Sequence, residues 1–297
     1  MAYYTSLLDL LFMVLKTSQQ RNAPSGINRG VGSQSWALLR KLSTTEGFIS
    51  LTSVLVILFV WYLTTALEWV DPLFLPTPLA VWSAFVEILR DGYKGSSLFF
   101  HIYQSMYRLG VALVLAIATA IPLGMLCGFF SPIRAALDPI IEFYRPLPPL
   151  AYYTLLVIWL GIENPSKIAL LFLAAFAPLF LAVISGVQRI SLDRINGARS
   201  LGAEGWQLFF YVILPSCLPE IFTGLRTAIG VAYSTLVAAE MVAAVSGIGW
   251  MVLDASKFLR SDVIFVGIII MGIIAILIDA GIRWVQRTQL PWIGRDS

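Results

Sequence analysis

Charge is scarce in this chain of 297 residues. Asp, Glu, Lys and Arg together make up 12% of it, against 58% apolar residues, and the mean hydropathy is +0.82. A typical soluble domain carries about 25% charged and roughly 45–50% apolar residues. A soluble fold of this size still shows much of its surface to water, so it has no core large enough for the excess. A soluble enzyme is excluded, and a polytopic membrane protein is expected. A lone histidine, His101, excludes a multi-histidine metal site. Two cysteines, Cys127 and Cys217, are too few for a disulfide scaffold. The net charge of +3 gives no ground for nucleic-acid binding. The phosphate-loop pattern G-x-x-x-x-G-K-[ST] is missing, so the chain does not hydrolyse nucleotide by itself. H-E-x-x-H and G-x-S-x-G are missing too, and no residue is assigned a catalytic role.

What the chain has is long apolar runs. A span needs about 20 mostly apolar residues. Six candidates follow: Phe48–Val70, Ile102–Phe130, Leu147–Gly161, Ile168–Val187, Ile221–Val245 and Val263–Val285. With the N-terminus inside, 13 Lys and Arg residues fall on the cytoplasmic side and 5 outside, Arg145 among the former and Lys167 among the latter. That bias places both termini in the cytoplasm. The expected architecture is an all-α helical bundle, a transmembrane domain over residues 48–297 preceded by a cytoplasmic segment, residues 1–47. In that segment Gln19–Ser35 reads as a flexible linker. Tyr3–Leu15 is apolar but too short to span, and it lacks the marks of a signal peptide.

Between the first two spans, Thr77 can cap a helix with Pro78 at its first position and Gly92 at its end. Val81, Trp82, Phe85, Ile88 and Leu89 share one face, which suits a helix lying flat at the outer surface in contact with lipid. Between the fifth and sixth, Gly247 and Gly249 suggest a pliable start to an outer loop, Ser246–Asp262.

The inner segment Ser191–Pro219 reads SLDRINGARSLGAEGWQLFFYVILPSCLP. Leu192, Ile195 and Ala198 share a helical face, and Gly202 can take positive φ and end that helix. A second helix follows, with Trp206, Phe209, Phe210 and Ile213 on one face. A connection this long and this strongly patterned points to a docking element at the inner membrane surface. A glycine at the turn also lets another protein's backbone approach.

Two charges sit inside spans, Arg108 in the second and Glu240 in the fifth, at similar depths from the outside. Ionisable groups at such depth pair or face water, or else reach separately for the interface. Both readings stand on the sequence. Gly124 and Gly128 form a G-x-x-x-G pair suited to close helix approach. Pro146, Pro148 and Pro149 prevent a regular helix at the start of the third span, which places that turn beside a pathway. Arg226 is expected to reach the inner interface.

The inner segment resembles the signature loop of ABC-importer permeases: Glu-Ala-Ala, three residues, Gly, nine residues, Ile-x-Leu-Pro. Here it reads Asn196, Gly197, Ala198, then Gly202, then Val212, Leu214 and Pro215, with every spacing kept and three identities changed. Leu137–Ile162, Ile213–Arg226, Ser234–Ala244 and Ser246–Val252 look like the branch that serves taurine, aliphatic sulfonates, nitrate and bicarbonate. The element Arg145–Ala151 looks most like taurine permeases. The resemblance implies a type I importer permease fold with a coupling loop at residues 189–218, working as a homodimer in a bacterial inner membrane. It implies an ATP-binding subunit, which carries ATP and Mg, docked on that loop, and a soluble substrate-binding protein outside. It implies no cofactor on this chain. Taurine is the expected ligand, with alkanesulfonate, nitrate and bicarbonate as alternatives. The rival reading is an ion-coupled carrier or channel with no ATPase.

Overall fold

A computed structural model describes the backbone of residues 32–290 and the side chains of residues 48–290. The readings of Tyr3–Leu15 and most of Gln19–Ser35 lie outside the described residues. Among those described there is no strand, only an isolated bridge between Tyr93 and Ser96.

The chain divides into two compact units, residues 1–60 and 61–297. The described part of the first is one helix, α1 (Gly32–Ala66), which runs on into the second. In the second unit follow α2 (Pro78–Asp91), α3 (Leu98–Phe129), α4 (Ser131–Tyr144), α5 (Pro149–Leu160), α6 (Asn164–Gln188) and α7 (Leu192–Ser200). Then come α8 (Gly205–Leu208), a π-helical turn (Phe209–Ile213), α9 (Leu214–Ala243), α10 (Ile248–Lys257) and α11 (Ser261–Gln289).

Among the described residues, five helical stretches are long and apolar enough to cross a membrane: Phe48–Ala66, α3, α6, Gly205–Ala243 and α11. The expected third span is α5, whose 12 residues reach only about 18 Å at 1.5 Å each. That is short of the roughly 30 Å of bilayer hydrocarbon. The prolines at 146, 148 and 149 start the helix late, so the turn Arg145–Pro148 takes the place of its expected first turn. The fifth span also differs. It does not begin at Ile221: α8, the π turn and α9 make one 39-residue run. Pro215 has no N–H for the carbonyl of Tyr211 and its ring crowds that carbonyl, and the wider π turn just before it relieves both.

The centre of the second unit is α6, packed between α3 and α9. Lipid gives helices no hydrophobic reason to associate, so close approach through small residues must do the work. On α3, Ala112, Ala116, Ala120 and Gly124 recur every fourth residue and are all buried. A Cβ at Gly124 would lie 2.8 Å from Val183 Cβ, and one at Gly128 would lie 2.5 Å from Val187 Cβ. On α9, Gly224, Ala228 and Ala232 are buried in the same rhythm, and a Cβ at Gly224 would overlap that of Ala182. The glycine pair thus serves packing onto α6.

A second apolar cluster closes one end of this unit. Val81, Ala84 and Ile88 of α2 meet Ile248, Met251 and Ala255 of α10 and Val263 and Val266 of α11. The cap on α2 is as expected, with the Thr77 side chain accepting from the Ala80 amide and Gly92 at φ +75°. Its buried face, however, is turned onto α10 and α11, leaving Trp82 and Leu89 exposed. Trp61 joins this end by stacking on Phe265 and donating to the Pro76 carbonyl at 3.0 Å.

Candidate functional site

Two places in the second unit gather the residues singled out above, at opposite ends of α9. At one end lies the α7–α8 loop. Ser191 caps α7, its hydroxyl accepting from the Arg194 amide. Ile195 and Ala198 turn toward the core, and Asn196 and Gly197 face outward. Gly202 follows at φ +85° with nothing within 4 Å of an added Cβ. Its backbone therefore needs glycine, while its surroundings leave room for an approaching protein. Leu201 is 90% exposed and Trp206 77%, large apolar side chains at the tip of the loop, Trp206 resting on Phe210 with ring centroids 4.4 Å apart. Of the remaining signature positions, Val212 and Leu214 lie against the core and Pro215 opens α9.

The loop is fastened to the first turns of α9. Arg194 donates to the Ser216 hydroxyl at 3.1 Å, and Arg189 pairs with Glu220. The expected second amphipathic helix is the extension of α9 itself. Arg226 does not simply reach the interface: it pairs with Asp279 of α11 at 2.7 Å, and Arg283 pairs with the same carboxylate at 2.7 Å.

At the other end of α9 the structure brings Arg108 and Glu240 together, with Nη1 to Oε1 at 2.6 Å and side chains 3% and 1% exposed. The carboxylate also accepts from the Ser105 hydroxyl at 2.8 and 2.9 Å and from the Gly249 amide at 3.0 Å. The guanidinium donates further to the Ser246 carbonyl at 2.8 Å, to the Ser246 hydroxyl at 3.0 Å and to Asn164 Oδ1 at 2.8 Å. Burying charges costs several kcal/mol each unless hydrogen bonds compensate, and here four of the five guanidinium N–H groups and both carboxylate oxygens find partners.

The network corrects the reading of Ser246–Asp262 as a pliable loop. The Ser246–Gly249 turn is held by the Gly247 amide on His101 Nδ1 at 3.2 Å and the Ile248 amide on the Ser105 hydroxyl at 3.0 Å. His101 in turn stacks on Trp250 at 5.5 Å. Gly247 has φ +118°, and a Cβ at Gly249 would strike the Val237 carbonyl at 2.7 Å, so the glycines allow tight closure rather than looseness. The helix α10 that follows is pinned at its other side by Tyr93, whose hydroxyl donates to Asp254 at 2.9 Å. Burial first, and then that carboxylate, push the Tyr93 phenol well above its ordinary range, so it stays a donor. Lys167, assigned above to an outer loop, is buried and donates to the carbonyls of Ile162 and Glu163.

Sequence reasoning missed Ser105, Asn164, Ser246, Gly249 and His101. One signal was available: His101, Ser105 and Arg108 recur at a spacing of four and three, one helical face. Among the described residues no group of His, Cys, Asp and Glu could hold a metal ion.

Residues 120–294 match the family model of the binding-protein-dependent transport system inner membrane component. The taurine transport system permease protein TauC of Escherichia coli is 44% identical over 260 residues, covering 87% of this chain and 93% of that protein. The putative aliphatic sulfonates transport permease protein SsuC of Bacillus subtilis is 33% identical over 237 residues, 80% of this chain and 84% of its own. The nitrate import permease protein NrtB of Synechocystis is 31% identical over 244 residues, 80% and 88%. Such permease subunits are not themselves enzymes. The chain belongs to the inner-membrane component family of binding-protein-dependent transport systems, as a multi-pass permease of the ABC importers that serve taurine, sulfonates and nitrate.

Proposed function

We propose that two copies of this chain form the membrane path of a taurine importer, and that each copy docks an ATP-binding subunit on residues 189–218. The observation that carries the reading is the α7–Gly202–α8 loop. It is exposed, apolar at its tip and fastened to α9 by Arg194 and Arg189. ATP and Mg belong to the docked subunit, and closing of the ATPase pair moves both loops and so both α9 helices. In this reading the α7 end and both termini face the cytoplasm, as the Lys and Arg distribution requires. The α2–α10 end then faces a soluble substrate-binding protein. Taurine is preferred over alkanesulfonate, nitrate or bicarbonate because the taurine permease shares 44% identity with the chain, against 33% and 31% for the sulfonate and nitrate permeases.

The test is affinity purification from native membranes with mass spectrometry, followed by uptake into proteoliposomes. A stoichiometric ATPase that disappears with Gly202→Asp, and ATP-driven taurine uptake, are expected. A folded dimer with no ATPase, taking up solute on an ion gradient, would transfer the reading to a carrier.

A further inference from the structure

A cavity of about 400 Å³ opens between the α4–α5 turn, α6 and α9. Its walls include Tyr144, Arg145, Tyr152, Ala174, Pro178 and Val231, and Arg145 is the one charged residue among them. The depth of this cavity follows from helix lengths counted from the α2–α10 end. Arg145 lies beyond all 12 residues of α5, about 18 Å or more down. Ala174 and Pro178 of α6 lie about 15 and 21 Å from Asn164, and Val231 of α9 about 18 Å from Ala243. The three elements agree on the middle of the membrane. This replaces the placement of Arg145 among the inner-surface cations.

A cation at such depth is expensive without a partner. The other deep arginine, Arg108, has a carboxylate and three more acceptors, but among the described residues Arg145 makes no ion pair. The Tyr144 hydroxyl is buried without a hydrogen-bond partner. Arg145, an exposed side chain of the cavity wall, therefore borders a space that contains no anion of the protein. The α6 part of the wall supplies an acceptor. Pro178 interrupts α6, so the carbonyl of Ala174 loses the amide four residues on that would normally occupy it.

We infer that this cavity is a binding stage on the permeation route for a small organic sulfonate. The Arg145 guanidinium holds the anionic head, and the Ala174 carbonyl accepts from an ammonium group at the other end. A planar fork of donors suits a sulfonate's oxygens as it does a carboxylate's or phosphate's. The apolar remainder of the wall suits a short carbon chain between the two. The inference rests on the importer reading for the route. It adds that the permease, and not only its binding protein, selects for charge.

The experiment uses Val231→Cys in the full chain within its native complex. Cys127 and Cys217 are both fully buried and serve as the unlabelled background. The probes are two methanethiosulfonates, one carrying ethylsulfonate and one carrying trimethylammonium-ethyl. Their rate ratio is taken relative to that on free cysteine. The anionic reagent is expected to be favoured about tenfold by a cation this near, the preference vanishing in Arg145→Gln and largely surviving in Arg145→Lys. Taurine is expected to slow labelling, ethanesulfonate to do so less, and choline not at all. Failure of both reagents to label, or a ratio that Arg145→Gln leaves unchanged, overturns the site. Equal protection by ethanesulfonate overturns the role of the Ala174 carbonyl. If Arg145→Gln does not assemble, protection of the Arg145 chain by taurine decides. Labelling needs no ATPase, so a charge preference in a chain that recruits none keeps the site while removing the docking reading, and the converse removes only the site.

Discussion

Replacing Glu240 by Gln leaves the shape of the buried network almost unchanged and removes its anion. Three groups donate to that carboxylate: the Arg108 guanidinium, the Ser105 hydroxyl and the Gly249 amide. A glutamine offers one acceptor oxygen and turns an NH2 toward another donor, so at least one N–H is left facing an N–H. Breaking a buried ion pair by removing one partner costs about 3–5 kcal/mol. Arg108 keeps Ser246 and Asn164, which points to the lower end, about 3 kcal/mol. For a chain of this size each kcal/mol moves the melting midpoint by about 2–4 °C, so a drop of roughly 6–12 °C is expected. The tryptophan fluorescence of the purified complex reports it. The loss is also local, since the same 3 kcal/mol corresponds to about a hundredfold faster hydrogen exchange at the Gly249 amide. Arg108→Met combined with Glu240→Gln should lower the midpoint by less than the sum of the two changes, because the second removes a charge that the first has already stranded.

Exchanging the two charges is the stricter test. Pairing alone would let Arg108→Glu with Glu240→Arg restore the fold. The geometry argues that it does not. The Gly249 amide and the Ser105 hydroxyl would then point at a cation, and Gly247 closes so tightly on the carboxylate that even a Cβ there would overlap it. Full recovery in the exchanged chain, or a midpoint shift below about 2 °C in Glu240→Gln, would show that the site is an exposed pair and the network incidental.

Other outcomes follow from single contacts. Gly224→Ala, whose Cβ would overlap that of Ala182, is expected to destabilise by about 1–3 kcal/mol. Gly110→Ala has nothing within 4 Å and should leave the melting midpoint unchanged or slightly higher. Gly202→Asp forces a side chain onto φ +85° at a cost of about 1 kcal/mol, so the chain stays folded while pull-down of the ATPase is lost. Arg194→Ala should leave ATPase recruitment in place and reduce transport, because it cuts a tie between α7 and α9 without touching the exposed tip; equal losses of both would place Arg194 in the docking surface itself.

Much of the fold was legible because it is local. Apolar runs long enough to span, a threonine before a proline, and a glycine after a helical face each act within a few residues, and α2, α3, α6, α7 and α11 appear close to where they were expected. The failures are of two kinds. Around Pro149 and Pro215 the apolar run continued through residues whose backbone cannot, so hydropathy overcounted α5 and undercounted the helix that becomes α9. Around Glu240 the partners come from positions 105, 108 and 249, and serine, glycine and asparagine carry no mark that sets them apart in a sequence. The chemistry of Arg108 did contain a usable demand. A guanidinium has five N–H donors and a carboxylate beside it cannot take them all, so a buried arginine requires further acceptors nearby. Asn164 and Ser246, each beside the end of an apolar helix, were the residues to ask.

The two ends of α9 explain why one helix runs unbroken for so long. At the α7 end its first turns are tied to the loop through Ser216 and Glu220. At the other end Glu240 is locked into α3, α6 and the turn that starts α10. Between them, Gly224, Ala228 and Ala232 sit too close to α6 for a sliding motion that would leave side chains in register. A push on α7 therefore has no soft joint near the locked end at which to dissipate. What remains free is the less confined side of α9, where Thr223, Thr227 and Ser234 are exposed and Val231 borders the Arg145 cavity. Displacement of α3, α6 and α9 as a body would change what that side faces while leaving the buried contacts intact.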